Sequence, residues 1–499
     1  MSPAPRALLT VVALVFAVLP AAEPAPPPRI SDRLEASLRA GGGDARQLVW
    51  VYFRDKGAGA SAASVRVAVT PRALSRRSIR ATRTSAAASL DVPVVRAYVD
   101  AVAARVIKVR QESRWFNAVS VEATAEQVRA LEALPFVARL DVVRRYRRGP
   151  TERVTDLPAA RASSAPAVRR GVGIDYGTSI GQLRQIDVPA VHEIGLHGEG
   201  VIVAIFDAGF SNLAHEVFAP MAILAQRDFV NGDDDVADGS DRGEGSHGTM
   251  TLSVLCGFKE GQLVGPAFGA SFILDKTEDT TSETPIEEDN WAAAAEWAEG
   301  LGADVISSSL GYLEYDSPFT SYGPADMNGD TAISTRAADL AASLGVVVVN
   351  SAGNSGFDAT HNTLGAPADG RGVVATGAVD PAGNRVFFSS VGPTADGRIK
   401  PDVAAQGVGV KVASPNFPSS YGFAAGTSFS CPLTAGVAAL VLQAYPNYTP
   451  QQVADALRTT ASHAASPDNL LGYGIVDALA AVRYQPRSPD PGNDPGNGY

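Results

Sequence analysis

Residues 201–206 (VIVAIF) form an unbroken apolar run, and Asp207 follows directly. A strand buried on both faces of a parallel sheet has this pattern, whereas a half-exposed strand alternates polar and apolar residues. Similar apolar runs occur at residues 271–274, 305–307, 346–349 and 373–376. Helical segments lie between or after them, at residues 247–255, 291–299, 331–344, 428–444 and 450–459. This alternation predicts an α/β domain with a mostly parallel sheet and helices on both faces.

A smaller unit precedes this domain. Its strand candidates are residues 48–53, 117–121 and 137–142. Helical apolar spacing occurs at residues 94–109 and 125–134. We interpret this segment as having β-α-β-β-α-β character, which predicts a small α+β unit of the ferredoxin-like kind.

The N-terminus is typical of a secretory signal. Arg6 precedes an apolar run at residues 8–19, and the small residues of 20–22 offer a cleavage site. The run is short for a membrane span, although an uncleaved signal anchor is the alternative. We therefore expect export of the chain. The predicted organisation is a signal peptide at 1–22, the α+β unit at 23–150, a linker at 151–179, the α/β domain at 180–485 and a disordered tail at 486–499.

Charge is distributed unevenly along the chain. Residues 29–150 carry 23 Lys and Arg against 11 Asp and Glu, and residues 151–499 carry 18 against 41. Opposite charges of this size favour docking of the two parts on each other. The overall net charge of −11 argues against nucleic-acid binding. Two Cys and six His exclude a disulfide scaffold and leave little room for a multi-metal site.

Four polar residues occur at strand ends or helix starts of the α/β domain: Asp207, His247, Asn354 and Ser428. Each alone has an ordinary explanation as a helix cap or a turn residue. Ligands of parallel sheets bind at the carboxyl ends of the strands, where we expect these side chains to meet. The order Asp, His, Ser is also one of the known orders for a Ser-His-Asp triad.

The surrounding strings strengthen this interpretation. They are VIVAIFDAGF, SHGTMT, SSLG, NSAGNSG, FSSVGPTADGRIKPDVAAQG and GTSFSCP, spread over residues 201–432. In this combination the chain resembles the subtilisin-like serine peptidases (subtilases) over residues 180–484. The resemblance implies a secreted, monomeric serine endopeptidase that acts on polypeptides without an organic cofactor. It also implies a zymogen whose residues 23–150 are an inhibitory prodomain that assists folding, with no membrane attachment after signal cleavage.

The resemblance also assigns roles to residues. Ser428 is the implied nucleophile, His247 its general base, and Asp207 the partner that orients His247. The Asn354 side chain and the Ser428 backbone N–H are the implied oxyanion donors. The implied substrate-binding residues are Ser309, Leu310, Gly311, Ala352 and Gly353. Two positions depart from the family pattern: Ala208 follows the Asp, and Phe429 follows the Ser.

Calcium is a further expectation, since many subtilases bind it. Asp326, Asn328 and Asp330 place oxygen side chains at alternate positions, as a cation loop does. A second acidic cluster comprises Asp228, Asp233, Asp234, Asp235 and Asp238. Cys256 and Cys431 are expected to be buried thiols, with a disulfide as the alternative.

Two other functions compete with the peptidase. An α/β-hydrolase would use Ser428, Asp455 and His463, but its G-x-S-x-G motif fails here because Ser430 occupies the last position. A secreted binding protein with a decayed protease fold would predict the loss of a triad residue, and all three are present. The basic cluster that begins at Arg144 and the weakly patterned linker predict processing between about Arg144 and Arg184.

Overall fold

The computed structural model describes residues 29–40, 46–57, 69–82, 89–143, 173–237, 245–280, 286–313 and 321–486. These residues form an N-terminal unit (29–143) and a C-terminal unit (173–486). The predicted signal peptide, most of the predicted linker and residues 487–499 of the predicted tail lie outside the described residues.

The N-terminal unit packs helices against a four-stranded antiparallel sheet. Its elements are α1 (Asp32–Ala40), β1 (Gln47–Phe53), α2 (Pro71–Arg80), α3 (Arg96–Ala103), β2 (Lys108–Ser113), β3 (Ala118–Ala123), α4 (Ala125–Glu132) and β4 (Val137–Val142). The strand order is β2-β3-β1-β4. Helix α4 begins at a capping box, in which the Thr124 side chain accepts from the Gln127 N–H and the Gln127 side chain accepts from the Thr124 N–H.

The C-terminal unit is built on a seven-stranded parallel sheet. Its elements are α5 (Ile180–Gln185), α6 (Val188–Glu193), β5 (Ile202–Asp207), β6 (Ala222–Asp228), α7 (Ser246–Cys256), β7 (Phe258–Lys259), β8 (Leu263–Val264), β9 (Ser271–Lys276), α8 (Ile286–Leu301), β10 (Val305–Ser308), α9 (Ile333–Ser343), β11 (Val347–Ser351), β12 (Val373–Val379), β13 (Val403–Gln406), β14 (Val408–Ala413), β15 (Tyr421–Ala425), α10 (Thr427–Ala444), α11 (Pro450–Thr459) and α12 (Ala478–Ala481). The sheet order is β13-β12-β11-β10-β5-β9-β6, and β14 and β15 form a separate hairpin. The predicted parallel sheet with helices on both faces is confirmed.

Alternation along the strands divides the apolar residues between two cores. In β5, Val203 and Ile205 join the core beneath α7 and α10, whereas Ala204 and Phe206 join the core beneath α8 and α9. The same period of two places Asp207 on the α7 side. The N-terminal unit lies over the other face, where β2 packs on α8.

Helix α10 runs through the first of these cores. Within the part of the chain that the structure describes, it alone is long and apolar enough to cross a membrane. That stretch is 89% buried inside the protein. Burial of this extent is what a central core helix shows, and it explains why α10 is apolar on all sides.

Candidate active site

The end of β5 and the start of α7 bring two titratable side chains together. His247 Nδ1 lies 2.6 Å from Asp207 Oδ1. The Asp207 carboxylate also accepts from the Ala208 N–H and the Thr251 hydroxyl, both at 2.7 Å. Asp207 is fully buried and His247 is 6% exposed. When His247 Nδ1–H donates this hydrogen bond to the Asp207 carboxylate, Nε2 of the neutral imidazole carries no proton and can act as a base.

Close approach of α7 to the strand end depends on glycine. A Cβ at Gly248 would lie 2.2 Å from the Gly209 carbonyl oxygen, so any larger residue would push the helix away from Asp207. Gly245, just before the helix, has φ = +55°, a left-handed conformation that favours glycine. The sequence GSHGT therefore determines the local geometry that holds His247 beside Asp207.

Ser428 lies in the first turn of α10, immediately behind Gly426 and Thr427. Its hydroxyl donates to the Ser309 carbonyl at 3.3 Å, and the Ser309 hydroxyl donates to the Ser428 carbonyl at 2.8 Å. Backbone N–H groups in the first turn of a helix lack carbonyl partners within that helix, and the helix dipole is positive there. The Ser428 N–H is therefore suited to bind an anion.

The Asn354 side chain has a defined orientation. Its Oδ1 accepts from both the N–H and the hydroxyl of Thr427, each at 2.9 Å. Because a backbone N–H can only donate, the atom facing Thr427 must be the amide oxygen. The Asn354 NH2 group is then a donor with a fixed direction beside the first turn of α10. Neither Thr427 nor Thr251 was singled out from the sequence, although Thr251 lies one helical turn after His247, on the same face.

The predicted substrate-binding residues form two neighbouring segments, 309–311 after β10 and 352–353 after β11. The Asn350 side chain donates to the Leu310 carbonyl at 2.9 Å. The Ala352 carbonyl accepts from the Gly365 N–H at 3.3 Å, and Gly365 in turn packs against Gly311. Gly353 has φ = +112°. The two segments therefore lie side by side at the carboxyl edge of the sheet, with Ser309 bonded to Ser428.

Phe429 is fully buried behind Ser428, and its ring centroid lies 5.9 Å from that of His247. This departure from the family pattern therefore contributes packing next to the imidazole. The other departure, Ala208, supplies a backbone N–H to Asp207 and is itself buried.

The predicted calcium ligands do not fit a cation site. Asp326 accepts from the Gly323 N–H and pairs with Arg33. The Asn328 side-chain oxygen Oδ1 accepts from the N–H groups of Asp330 and Thr331. Asp330 itself faces Arg371. The oxygen atoms are thus used by nearby donors, and the described residues contain no group of three or more His, Cys, Asp or Glu able to hold a metal.

In the second acidic cluster, two of the described carboxylates are paired with cationic side chains. Asp228 forms an ion pair with the buried Lys276 at 3.0 Å, and Asp234 pairs with Arg227. Asp238 lies outside the described residues.

Both cysteines are free and buried, which confirms the prediction of buried thiols over a disulfide. The Cys431 Sγ lies 3.4 Å from the Ser308 carbonyl oxygen and 3.5 Å from that of Val349, and its single S–H proton can be donated to either. Burial raises the pKa of Cys431 to about 12. Burial also raises the pKa of Cys256 well above its usual value. Neither thiol is therefore a competing nucleophile.

The residues of the α/β-hydrolase alternative do not assemble. Asp455 is 41% exposed and contacts Gln451 and Arg458 on its own helix. His463 is exposed in the segment that follows that helix. The buried Asp207 and His247 are the pair that carries a triad-like geometry.

Comparisons with known proteins give matches to two family models. The model of the subtilase family matches residues 198–474, and that of the peptidase S8 propeptide domain of Bacteroidota matches residues 48–157. Subtilisin from Bacillus pumilus is 32% identical over 313 residues, covering 62% of this chain and 99% of that protein. Subtilisin NAT from Bacillus subtilis subsp. natto is 30% identical over 379 residues, covering 75% and 83%.

Among solved structures, fervidolysin from Fervidobacterium pennivorans has a TM-score of 0.62 at 22% identity. The match covers 89% of this chain but only 62% of fervidolysin. At this identity the likeness supports the fold alone.

Proposed function

The chain belongs to the subtilase family of serine endopeptidases, and from this premise we propose that Asp207, His247 and Ser428 are its catalytic triad. The single observation that carries the proposal is the buried 2.6 Å contact between His247 Nδ1 and Asp207. Ser428 Oγ attacks the scissile carbonyl while His247 takes its proton, and His247 then returns the proton to the leaving amine. Asp207 holds the imidazole in the required tautomer and stabilises its charged form.

Two donors are proposed to bind the oxyanion of the tetrahedral intermediate: the Asn354 amide and the Ser428 backbone N–H. The two hydrogen bonds from Thr427 orient the Asn354 amide before substrate arrives. Such pre-orientation matters because a donor that is already aligned costs no reorganisation in the transition state.

Segments 309–311 and 352–353 are proposed to bind the substrate polypeptide. Their glycines permit close approach of a second backbone, which suits pairing with an extended peptide. The bonds between Ser309 and Ser428 join one of these segments to the nucleophile.

The zymogen is proposed to comprise a signal peptide (1–22), a prodomain (23–150), a linker (151–179), a catalytic domain (180–485) and a tail (486–499). The propeptide match over residues 48–157 supports the prodomain, and its described part packs on α8. We expect a secreted, monomeric enzyme that processes itself between about Arg144 and Arg184. N-terminal sequencing of the secreted protein tests this, and an intact N-terminus at Glu23 would contradict it.

The triad is tested with a fluorophosphonate probe and casein. Wild type, Ser428→Ala and the control Ser466→Ala, at an exposed serine, are compared after prodomain removal with an added protease. We expect labelling and casein cleavage by wild type and the control, with neither in Ser428→Ala. Labelling of Ser428→Ala would assign the nucleophile elsewhere, and no labelling of any protein would refute a peptidase active as folded.

A further inference from the structure

Helix α2 (Pro71–Arg80) of the N-terminal unit carries four arginines in ten residues: Arg72, Arg76, Arg77 and Arg80. Three of them, Arg76, Arg77 and Arg80, are at least 93% buried. Arginine is almost never buried without partners that satisfy its charge and its N–H groups. The partners of these arginines lie mainly in the C-terminal unit, so the helix is part of an interface.

Two carboxylates of the C-terminal unit accept hydrogen bonds from these arginines. The Glu299 carboxylate, near the end of α8, accepts hydrogen bonds from both Arg76 and Arg77. The Arg77 contact is bidentate. Asp304, just before β10, accepts from Arg80 at 2.9 Å and from Arg72 at 2.6 Å. The Glu299 side chain is fully buried and that of Asp304 is 4% exposed. Fork-shaped guanidinium groups suit this bidentate, buried geometry and the Lys ammonium does not.

The same segment, residues 70–82, supplies donors to the C-terminal ends of helices. The Thr70 N–H donates to the Gly300 carbonyl and the Thr70 hydroxyl to the Leu301 carbonyl, both at the end of α8. The Thr82 N–H donates to the Ser343 carbonyl at the end of α9. Arg80 donates to the Pro446 carbonyl, two residues beyond α10. The last carbonyls of a helix lack partners within it, and the helix dipole favours positive charge there.

This contact lies at the opposite edge of the sheet from the triad. Asp304 precedes β10, and Arg72 also bonds the Gly200 carbonyl ahead of β5, so the arginines meet the N-terminal ends of these strands. Asp207 and Ser309 occupy their carboxyl ends. Strands of four to six residues separate the two edges by roughly 13–20 Å. Helix α2 therefore cannot act by covering the nucleophile.

We propose that residues 70–82 are a second docking element of the prodomain, an arginine helix that clamps Glu299, Asp304 and the ends of α8 and α9 to assist folding of the catalytic domain. The clamp (residues 70–82) gathers segments that are far apart in sequence before the parallel sheet is complete. The acidic surface formed by Glu299 and Asp304 is thus a binding site for an arginine-bearing helix, and its occupant is the chain's own prodomain. The inference rests on the proposed zymogen, but it does not require the triad to be active.

The test uses the full chain with Ser428→Ala, so that catalysis plays no part. Refolding from guanidinium is followed by tryptophan fluorescence for the parent, for Arg76→Ala/Arg77→Ala and for the control Arg39→Ala/Arg46→Ala. The control removes two exposed prodomain arginines. We expect refolding to slow at least tenfold in the clamp variant and less than twofold in the control. Equal rates for the clamp variant and the parent would overturn the proposal, as would equal slowing of both variants.

A milder change covers the case in which the double variant does not fold. Glu299→Gln in the same Ser428→Ala chain removes the acceptor charge from the catalytic side, and hydrogen exchange is measured on the native protein. We expect the amides of Thr70 and Thr82 to exchange about 10²-fold faster, since an uncompensated buried charge weakens the contact strongly. Protection in β3 should stay unchanged. Unchanged exchange at residues 70–82, or joint loss of protection in β3, would overturn the clamp as an independent element.

Discussion

Prodomain docking should depend on pH through Glu296, a carboxylate on the face of α8 that contacts the prodomain. Its partners are three consecutive prodomain residues: the Ser113 hydroxyl and the backbone N–H groups of Arg114 and Trp115. Burial raises the pKa of Glu296 from 4.5 to about 7, against the lowering effect of these donors and of the Arg114 charge. Prodomain docking therefore favours the protonated form of Glu296 over the carboxylate.

The sign and size of the effect follow from this shift. Once released, Glu296 is taken to have the ordinary Glu pKa of 4.5. A group whose pKa is raised in the complex stabilises docking fully below that ordinary value, and this contribution is lost as pH rises through about 7. The shift from 4.5 to about 7 corresponds to a ceiling of about 3 kcal/mol. Between pH 5 and pH 8 the same linkage weakens prodomain binding by about 70-fold.

The assay is the inhibition constant of the prodomain (23–150), added in trans to the mature enzyme, measured from pH 5 to pH 8. Glu296→Gln mimics the protonated acid and keeps an acceptor for Ser113. We expect the variant to be inhibited about fourfold more tightly than wild type at pH 5 and about 300-fold more tightly at pH 8. The control is Glu193→Gln, at an exposed carboxylate of α6.

Parallel pH profiles for wild type and Glu296→Gln would refute the assignment of the titrating group. A variant inhibited more weakly at pH 8 would refute the sign. Asp289 also faces the prodomain through Ser120, and burial raises its pKa to about 7. It should therefore account for the pH dependence that Glu296→Gln retains.

Three further predictions concern the catalytic domain. Asp207→Asn should lower kcat about 10⁴-fold with the fold intact, as measured with a peptide substrate and circular dichroism, because the wrong His247 tautomer results; a loss under tenfold would contradict the triad. Asn354→Leu should lower kcat by about 10²–10³ with little change in KM, and a change confined to KM would assign Asn354 to substrate binding instead. Phe429→Ala should reduce the free energy of unfolding by about 3–5 kcal/mol in chemical denaturation, because it empties a fully buried site; a loss below 1 kcal/mol would show that the site collapses.

The central strands could be predicted from sequence because a strand buried on both faces consists of consecutive apolar residues. Strand β5 reads as an unbroken apolar run and lies within one residue of its predicted bounds. The edge strand β6 (AILAQRD) was missed because its exposed and half-buried positions carry mixed residues. Helix α2 was missed for a related reason, since buried arginines leave no apolar stripe. Their burial depends on Glu299, more than 200 residues away in the chain.

In the candidate site, too, the features set by neighbouring residues could be predicted, and those set by contacts between distant segments could not. Strand ends and helix starts predicted which side chains share an edge of the sheet, and the structure brings Asp207 to His247 and Ser309 to Ser428. The orientation of Asn354 by Thr427 depends on how two distant loops meet, so spacing alone could not reveal it. The alternate oxygens at 326, 328 and 330 also suit a local turn, and the Asn328 side-chain oxygen accepts backbone N–H groups there.

The proposed clamp and the proposed triad lie at opposite edges of one sheet, an arrangement that would allow the prodomain to leave without dismantling the site. Asp304 accepts from the Ile202 N–H at 2.9 Å, a bond within the catalytic domain that does not depend on the arginines. The freed carbonyls at the end of α8 can bind water once that surface is exposed. The carboxyl edge keeps its own bonds, from Thr251 to Asp207 and from Thr427 to Asn354. Prodomain removal should therefore slow refolding far more than it reduces the activity of enzyme that has already folded.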